Sequence, residues 1–369
     1  MPLSPTETLR YSRHFPIISQ TGQERLKNTA VLCLGAGGLG CPALQYLAAA
    51  GVGKLGIVDN DRVEISNLQR QILFTEADIG LLKADLVKQR LTAQNPHIEI
   101  VTYPLRLVRD NAEQLISRYD IVLDGSDNYQ TRYLINDVCH MTHKPLVSAS
   151  IFQFQGQIGV FNQVDGACYR CLYHSPPPVE LMPDCATGGV LGVLPGIMGA
   201  IGAAEAIKLA LGLGKSLQDR LLTVDVLGMQ FKEYQVHPDP ECPLCQHKQL
   251  SDELFDAAAC NAAVIVPEVQ PSQLAAWLQE TAPPQLLDVR EPYERAICDI
   301  GGEFMPLSHF DVSHLNLDKE QLTVVYCKHG VRSLTAARLL QAAGYRRVFS
   351  LQGGIIAWAE QVAPEIGVY

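Results

Sequence analysis

Apolar residues in the first part of the chain fall in short unbroken runs, each closed by a turn signal. Thr29–Leu34 is such a run, and it leads straight into the glycine-rich stretch Gly35-Ala-Gly37-Gly38-Leu-Gly40. Cys41–Ala50 then reads as a helix, and Lys54–Val58 as a second strand stopping at Asp59. Tyr119–Asp124, Pro145–Ala149 and Gly156–Phe161 have the length and composition of further strands. Strand, glycine turn, helix, strand is how a doubly wound α/β sheet begins.

The pattern weakens after Cys245. Residues 246–261 are polar or alanine-rich and read as a connection. A new α/β alternation follows, with strands at Gln285–Val289, Leu322–Tyr326 and Arg347–Leu351 and helices at Ser272–Glu280 and Ser333–Ala343. The chain therefore divides into a first domain at 1–247, a linker at 248–262 and a smaller α/β domain at 263–369. Between Val190 and Leu213 runs a long apolar stretch broken by Pro195, Glu205 and Lys208. Its charge-free part is shorter than the roughly 20 residues of a membrane span, so it reads as a buried small-residue helix.

The chain has 369 residues, enough for two cores. Its net charge of -10 argues against a broad nucleic-acid footprint. The start, Met1-Pro-Leu-Ser-Pro-Thr-Glu7, lacks the basic-then-apolar pattern of a secretion signal, which points to the cytoplasm and away from a membrane. In a reducing compartment the eleven cysteines are better suited to metal binding or chemistry than to disulfides.

Gly35, Gly37 and Gly40 match G-x-G-x-x-G, with Gly38 inside the same loop. Such glycines let backbone approach a phosphate, and the next helix offers its free N–H groups. Asp59, about 20 residues on, can accept hydrogen bonds from ribose hydroxyls. The motif alone fits NAD or FAD as well as ATP. Asn67, Arg70 and Lys83 then add donors and cations, which favours the more highly charged ATP. Asp127 and Asn128, just after a strand, lie where ligands bind, and Asp127 can hold a phosphate-bridging Mg²⁺.

Cys168-Tyr-Arg-Cys171 and Cys242-Pro-Leu-Cys245 are two C-x-x-C pairs. Together they can complete a closed, structural Zn²⁺ shell. Two redox pairs or an iron–sulfur cluster are the competing readings. Cys185 stands apart, in a proline-rich stretch from His174 that reads as a loop from which a thiol could reach a bound substrate. Cys33, Cys41, Cys139, Cys260 and Cys298 read as small core residues.

Near the end, Cys327-Lys-His-Gly-Val-Arg332-Ser333 joins a strand to a helix. Backbone N–H groups and the helix dipole can stabilise a thiolate there, with Lys328 and Arg332 adding positive potential. Cysteine phosphatases use C-x5-R around phosphate. The C-x4-R spacing of this chain is one residue shorter and suits sulfur.

Leu9-Arg-Tyr-Ser-Arg13, the glycine loop, Ser66-Asn67-Leu-Gln-Arg70-Gln71 and Ser126-Asp127-Asn128 together resemble the MoeB/ThiF family, relatives of the ubiquitin-activating enzymes. The likeness covers roughly residues 5–247. It implies a Rossmann-like adenylation domain that uses ATP and Mg²⁺ to adenylate the terminal Gly-Gly of a small ubiquitin-like sulfur-carrier protein, MoaD- or ThiS-like. It also implies Asp59 on ribose, Asn67, Arg70 and Lys83 on phosphates, Asp127 on Mg²⁺ and the reacting centre, and Asn128 beside it. Arg13 would enter a partner subunit's site, hence a homodimer. The four cysteines would hold structural Zn²⁺, and Cys185 would link covalently to the carrier.

Leu287-Asp288-Val-Arg290-Glu291-Pro-Tyr-Glu294, the Cys327 loop and Gly353-Gly354-Ile-Ile-Ala-Trp358 resemble the rhodanese domain over about 263–369. Asp299 stands where that pattern usually has histidine. The two resemblances imply an adenylyltransferase and sulfurtransferase. Cys327 would take sulfur from thiosulfate or a cysteine desulfurase, and the carrier would become a thiocarboxylate. Molybdopterin synthesis is the expected use, with thiamine synthesis, tRNA thiolation and cysteine synthesis as alternatives. A NAD(P)-dependent oxidoreductase joined to a sulfurtransferase is the more distant reading.

Overall fold

A computed structural model describes residues 2–176, 189–246 and 266–367, which form parts of two compact units. The first holds eight strands: β1 Ala30–Leu34, β2 Lys54–Val58, β3 Glu99–Tyr103, β4 Ile121–Asp124, β5 Leu146–Phe152, β6 Gln155–Phe161, β7 Arg220–Asp225 and β8 Gln230–Gln235. Their order is β3-β2-β1-β4-β5-β6-β7-β8. The pairs from β3 to β5 are parallel and those from β5 to β8 antiparallel. Strand order reverses between β1 and β4, the switch point at which open α/β sheets bind ligands.

The helices of this unit are α1 Pro5–Arg10, α2 Phe15–Asn28, α3 Gly40–Ala50, α4 Lys83–Gln94, α5 Arg109–Ile116, α6 Tyr129–Met141, α7 Tyr169–Leu172 and α8 Val193–Leu211. β1 is covered on both faces. Val31 and Cys33 pack with α3 and α8 residues, while Leu32 and Leu34 pack with Ala112, Ile116, Tyr133 and Val138 of α5 and α6. Burial on both faces is why the strand reads as a continuous apolar run.

α8 is long and apolar enough to cross a membrane by length and composition. Here it lies on the sheet, with Leu194, Met198, Ala203 and Ala206 in the core. Its buried Glu205 pairs with Lys208 and accepts the Leu217 N–H at 2.8 Å, so the charge is satisfied within the fold. The expected buried helix is the one found.

The sequence pattern does not mark β3, β7 or β8. Only Ile100 is buried in β3, and all six residues of β8 are exposed. An edge strand with little buried surface carries little periodic signal.

The second unit is a five-stranded parallel sheet, ordered β11-β10-β12-β13-β9. Its strands are β9 Glu268–Val269, β10 Gln285–Asp288, β11 Glu303–Phe304, β12 Thr323–Tyr326 and β13 Val348–Leu351. Helices α9 Pro271–Trp277, α10 Pro292–Ile297, α11 Val331–Ala342 and α12 Gly354–Gln361 accompany them. Val325 faces Ala336, Ala337 and Leu340 of α11, while Val324 and Tyr326 face Leu274 of α9 and Ile355 and Trp358 of α12. The Cys327 loop thus leaves the middle strand of a sheet covered on both faces.

Asp137 of α6 and Arg170 of α7 form a two-pronged pair, with Nε to Oδ1 and Nη2 to Oδ2 both at 2.7 Å, and are 0% and 1% exposed. Removing one member of a buried pair strands the other. Asp137→Ala is therefore expected to cost about 3–5 kcal/mol in chemical denaturation. A loss under about 1 kcal/mol would show the pair to be inconsequential.

Candidate functional site

The glycine loop turns where a side chain has no room. A Cβ on Gly40 would lie 2.0 Å from the Gly35 carbonyl oxygen, and Gly35 itself has φ +90. β1 and α3 can therefore meet closely, leaving the N-terminus of α3 at the switch point. Neither Gly37 nor Gly38 donates its N–H to another described residue. Free backbone donors at a helix start suit an anion. The Cys33 and Cys41 thiols brace this turn by donating to the Gly35 and Ala36 carbonyls. Burial pushes Cys41 up to about 12 and Cys33 higher still, so both are neutral core thiols.

Asp59 follows β2 and faces the same loop. Its carboxylate accepts the Ala36 N–H at 2.7 Å and the Asp61 N–H at 2.8 Å. Burial raises its pKa, while these two donors and Lys83 pull the other way. Lys83, 5% exposed at the start of α4, reaches Asp61 Oδ2 at 3.0 Å. The role of Asp61 is not legible from the motif, because the contact spans 22 residues.

The turn 66–71 lies over the loop. Arg70 is held by the Ser66 carbonyl at 2.9 Å, and its Cγ would lie 3.4 Å from a Cβ on Gly38. Asn67 is buried, and its Oδ1 accepts the Glu64 N–H at 3.3 Å.

At the end of β4 two aspartates divide. Asp124 is fully buried and accepts from Ser126 N at 2.9 Å, Ser126 Oγ at 2.6 Å and Ser148 Oγ at 3.0 Å, with Arg132 at 3.4 Å. Asp127 is exposed. Asn128 caps α6 by accepting the Thr131 N–H at 2.9 Å, so it shapes the sheet edge. Arg13 is exposed in the turn between α1 and α2, while Tyr11 of the same motif is buried against Asn95. Cys185 and Cys260 lie outside the described residues.

Cys168, Cys171, Cys242 and Cys245 converge, with their sulfurs all within 4.8 Å of one another. The separations are 3.7 Å for 168–171, 3.5 Å for 168–242 and 3.4 Å for 171–245. Four sulfurs about 2.3 Å from one tetrahedral ion would be about 3.8 Å apart. The donor set therefore fits Zn²⁺ with no open position. The hydrogen bond between Cys168 and Cys171 leads in drawing Cys171 down to about 5 and pushing Cys168 up. Without a cation, one sulfur is anionic only if its neighbours keep their protons.

In the second unit Cys327 is 1% exposed at the end of β12. Its sulfur accepts the Gly330 N–H at 3.2 Å and lies 3.5 Å from Ser333 Oγ. Gly330 takes φ +92, as the curl of the loop requires. Gly354 lets the chain pass behind the loop, since a Cβ there would meet Lys328 O at 2.3 Å and Cys327 O at 2.4 Å.

Arg332 has a partner outside its loop. Its two Nη atoms bind both oxygens of Glu294 on α10, at 2.5 and 2.7 Å. A partner 38 residues away was not readable from the loop motif. Asp288 and Arg290 pair with each other, at 2.9 and 2.7 Å, and Arg290 also donates to the Cys298 carbonyl. Asp299 accepts from Tyr326 Oη at 3.1 Å.

Residues 11–244 match the ThiF family and residues 270–361 the rhodanese-like domain. The probable adenylyltransferase/sulfurtransferase MoeZ of Mycobacterium tuberculosis is 42% identical over 380 residues, covering 100% of this chain and 96% of its own length. The sulfur carrier protein adenylyltransferase of Thermus thermophilus is 48% identical over 257 residues, which span 68% of this chain and 95% of that protein. Adenylyltransferase and sulfurtransferase MOCS3 of Danio rerio is 39% identical, covering 98% of this chain and 87% of that protein. Among solved structures, E. coli MccB with AMPCPP and MccA shares the fold at 23% identity and a TM-score of 0.59, over 66% of this chain and 75% of that one.

The four-cysteine geometry sets a metal test. Purified protein is expected to carry about one zinc ion per chain, and Cys242→Ser is expected to lose it and melt at a lower temperature. Protein free of metal whose Tm is unmoved by a strong chelator would contradict the geometry.

Proposed function

Because the chain belongs to the ThiF family and carries a rhodanese-like domain, we propose that it is an adenylyltransferase and sulfurtransferase that turns the C-terminal carboxylate of a small ubiquitin-like sulfur-carrier protein into a thiocarboxylate. One observation carries the reading. A glycine-loop crevice with Arg70, Lys83 and an exposed Asp127 shares its chain with a cysteine held under a backbone donor.

ATP binds across the switch point. Its ribose meets Asp59, and its phosphates meet the loop amides, Asn67, Arg70 and Lys83. Mg²⁺ held by Asp127 would screen the phosphate charge. The carrier carboxylate attacks the α-phosphorus, an acyl–oxygen–phosphorus link forms, and the bond to pyrophosphate breaks. Carboxylate and triphosphate repel each other, so the cations and the bound geometry supply most of the acceleration. Arg13 completes the site of a partner subunit in a homodimer, with Asn128 shaping the crevice edge.

The Cys327 sulfur bonds to the outer sulfur of thiosulfate, whose S–S bond breaks to release sulfite, or to that of a desulfurase cysteine persulfide, which releases the desulfurase thiolate, and Cys327 then holds the sulfur as a persulfide. The terminal sulfur attacks the acyl carbon, the carbon–oxygen bond breaks and AMP leaves. The resulting acyl–S–S–Cys327 link opens when a second thiol bonds to the Cys327 sulfur, which frees the carrier thiocarboxylate and leaves a disulfide to be reduced. An external thiol reductant supplies that thiol, and Cys185 is proposed to link covalently to the carrier. Zn²⁺ on the four cysteines is structural. We place the enzyme in the cytoplasm and its carrier in molybdopterin synthesis. Thiamine synthesis, tRNA thiolation and cysteine synthesis would use the same chemistry.

With MgATP and a carrier, the wild-type enzyme is expected to exchange labelled pyrophosphate into ATP. With thiosulfate added, the carrier should gain the mass of one oxygen-to-sulfur replacement. Cys327→Ala should keep the exchange and lose the mass gain. Loss of both activities together, in a folded Cys327→Ala protein, would refute the division of labour.

A further inference from the structure

Gln71 closes the turn over the glycine loop, and its side chain is 4% exposed. Its backbone is fully used: the N–H donates to Asn67 O at 2.9 Å and the carbonyl accepts the Phe74 N–H at 3.0 Å. The side-chain amide is different. Its Oε1 is buried and has no hydrogen-bond partner among the described residues. Its Nε2 would lie 3.5 Å from a Cβ on Gly37, so the amide rests directly against the middle of the loop. A buried amide without a partner opposes folding, and native proteins keep few of them without a use.

Nε2 likewise makes no hydrogen bond among the described residues, and two further features indicate what it could hold. The Gly37 and Gly38 N–H groups beside the amide are undonated, and α3 starts there. Arg70, the preceding residue, packs over Gly38 as Gln71 packs over Gly37. The amide, the loop donors and a guanidinium therefore converge on one small volume, and an oxyanion is the ligand that this set accepts. The Nε2 end already lies against the loop, so its NH₂ can donate to a ligand seated there without the amide turning.

We propose that Gln71 binds the nucleotide by donating its side-chain amide to a phosphoryl oxygen seated on the glycine loop. The inference rests on the adenylating role given above. A neutral donor fixed by burial grips the phosphate without adding to the charge that pyrophosphate must escape, and it needs no reorganisation as the phosphorus reacts.

The test uses full-length wild type, Gln71→Met and Gln71→Glu. Melting temperature is measured without nucleotide, and binding of MgATP, AMP and adenosine is titrated. Methionine fills the same space without polar atoms, so Gln71→Met should melt at or above the wild-type temperature when nucleotide-free. It should bind MgATP about ten- to a hundredfold more weakly and adenosine unchanged. Gln71→Glu should bind MgATP more weakly still, since two anions would meet. Gln71→Met that binds MgATP within about twofold of wild type, or that melts lower without nucleotide, overturns the proposal by reducing Gln71 to packing. Wild type that binds no MgATP refutes the adenylating reading itself, and with it this contact. Normal wild-type binding with an unaffected variant refutes the contact alone.

Discussion

Phosphate can be held at the edge of a sheet only if backbone comes close enough to donate to it. In this chain that distance is set by Gly40 against the Gly35 carbonyl, where a single Cβ would be 2.0 Å from oxygen. The contact draws α3 onto β1 and leaves the Gly37 and Gly38 N–H groups without an acceptor among the described residues. Much of the surrounding site depends on that approach. Asp59 steadies the loop through Ala36, the 66–71 turn lies across it, and Lys83 is held nearby by Asp61. A larger residue at position 40 would move the donors away from all of them.

The sulfur half solves a related problem with different means. A reactive sulfur anion needs donors and little water. In the role proposed for Cys327, burial, the Gly330 N–H and Ser333 would supply them. The nearby guanidinium is tied to Glu294. That pair anchors the start of α11 to α10, so Arg332 supports the loop's shape more than its charge. The four-cysteine cluster is a third use of cysteine. It joins the segment after β6 to the one after β8, where apolar core is sparse.

Motifs formed by neighbours in sequence are legible in the chain itself. The glycine loop, the two C-x-x-C pairs and the Cys327 loop each state their geometry within a few residues, and the strands buried on both faces announce themselves as apolar runs. What stayed hidden depends on distant pairs. Glu294 with Arg332, Asp61 with Lys83 and Asp124 with Ser148 are fixed only once the sheet assembles. β8, exposed along its whole length, gave no pattern because it buries almost nothing. Gln71 was visible within a motif, but its unpartnered amide is a property of the folded turn alone.

The central claim is that sulfur held on Cys327 reaches a carrier only after that carrier has been activated by ATP. Enzyme loaded with radiolabelled sulfane sulfur, freed of excess donor and mixed with carrier, tests it in a single turnover. The account predicts that label passes to the carrier when MgATP is present and stays on the enzyme when it is absent. Label that transfers equally well without ATP, or that never leaves the enzyme with it, would contradict the account.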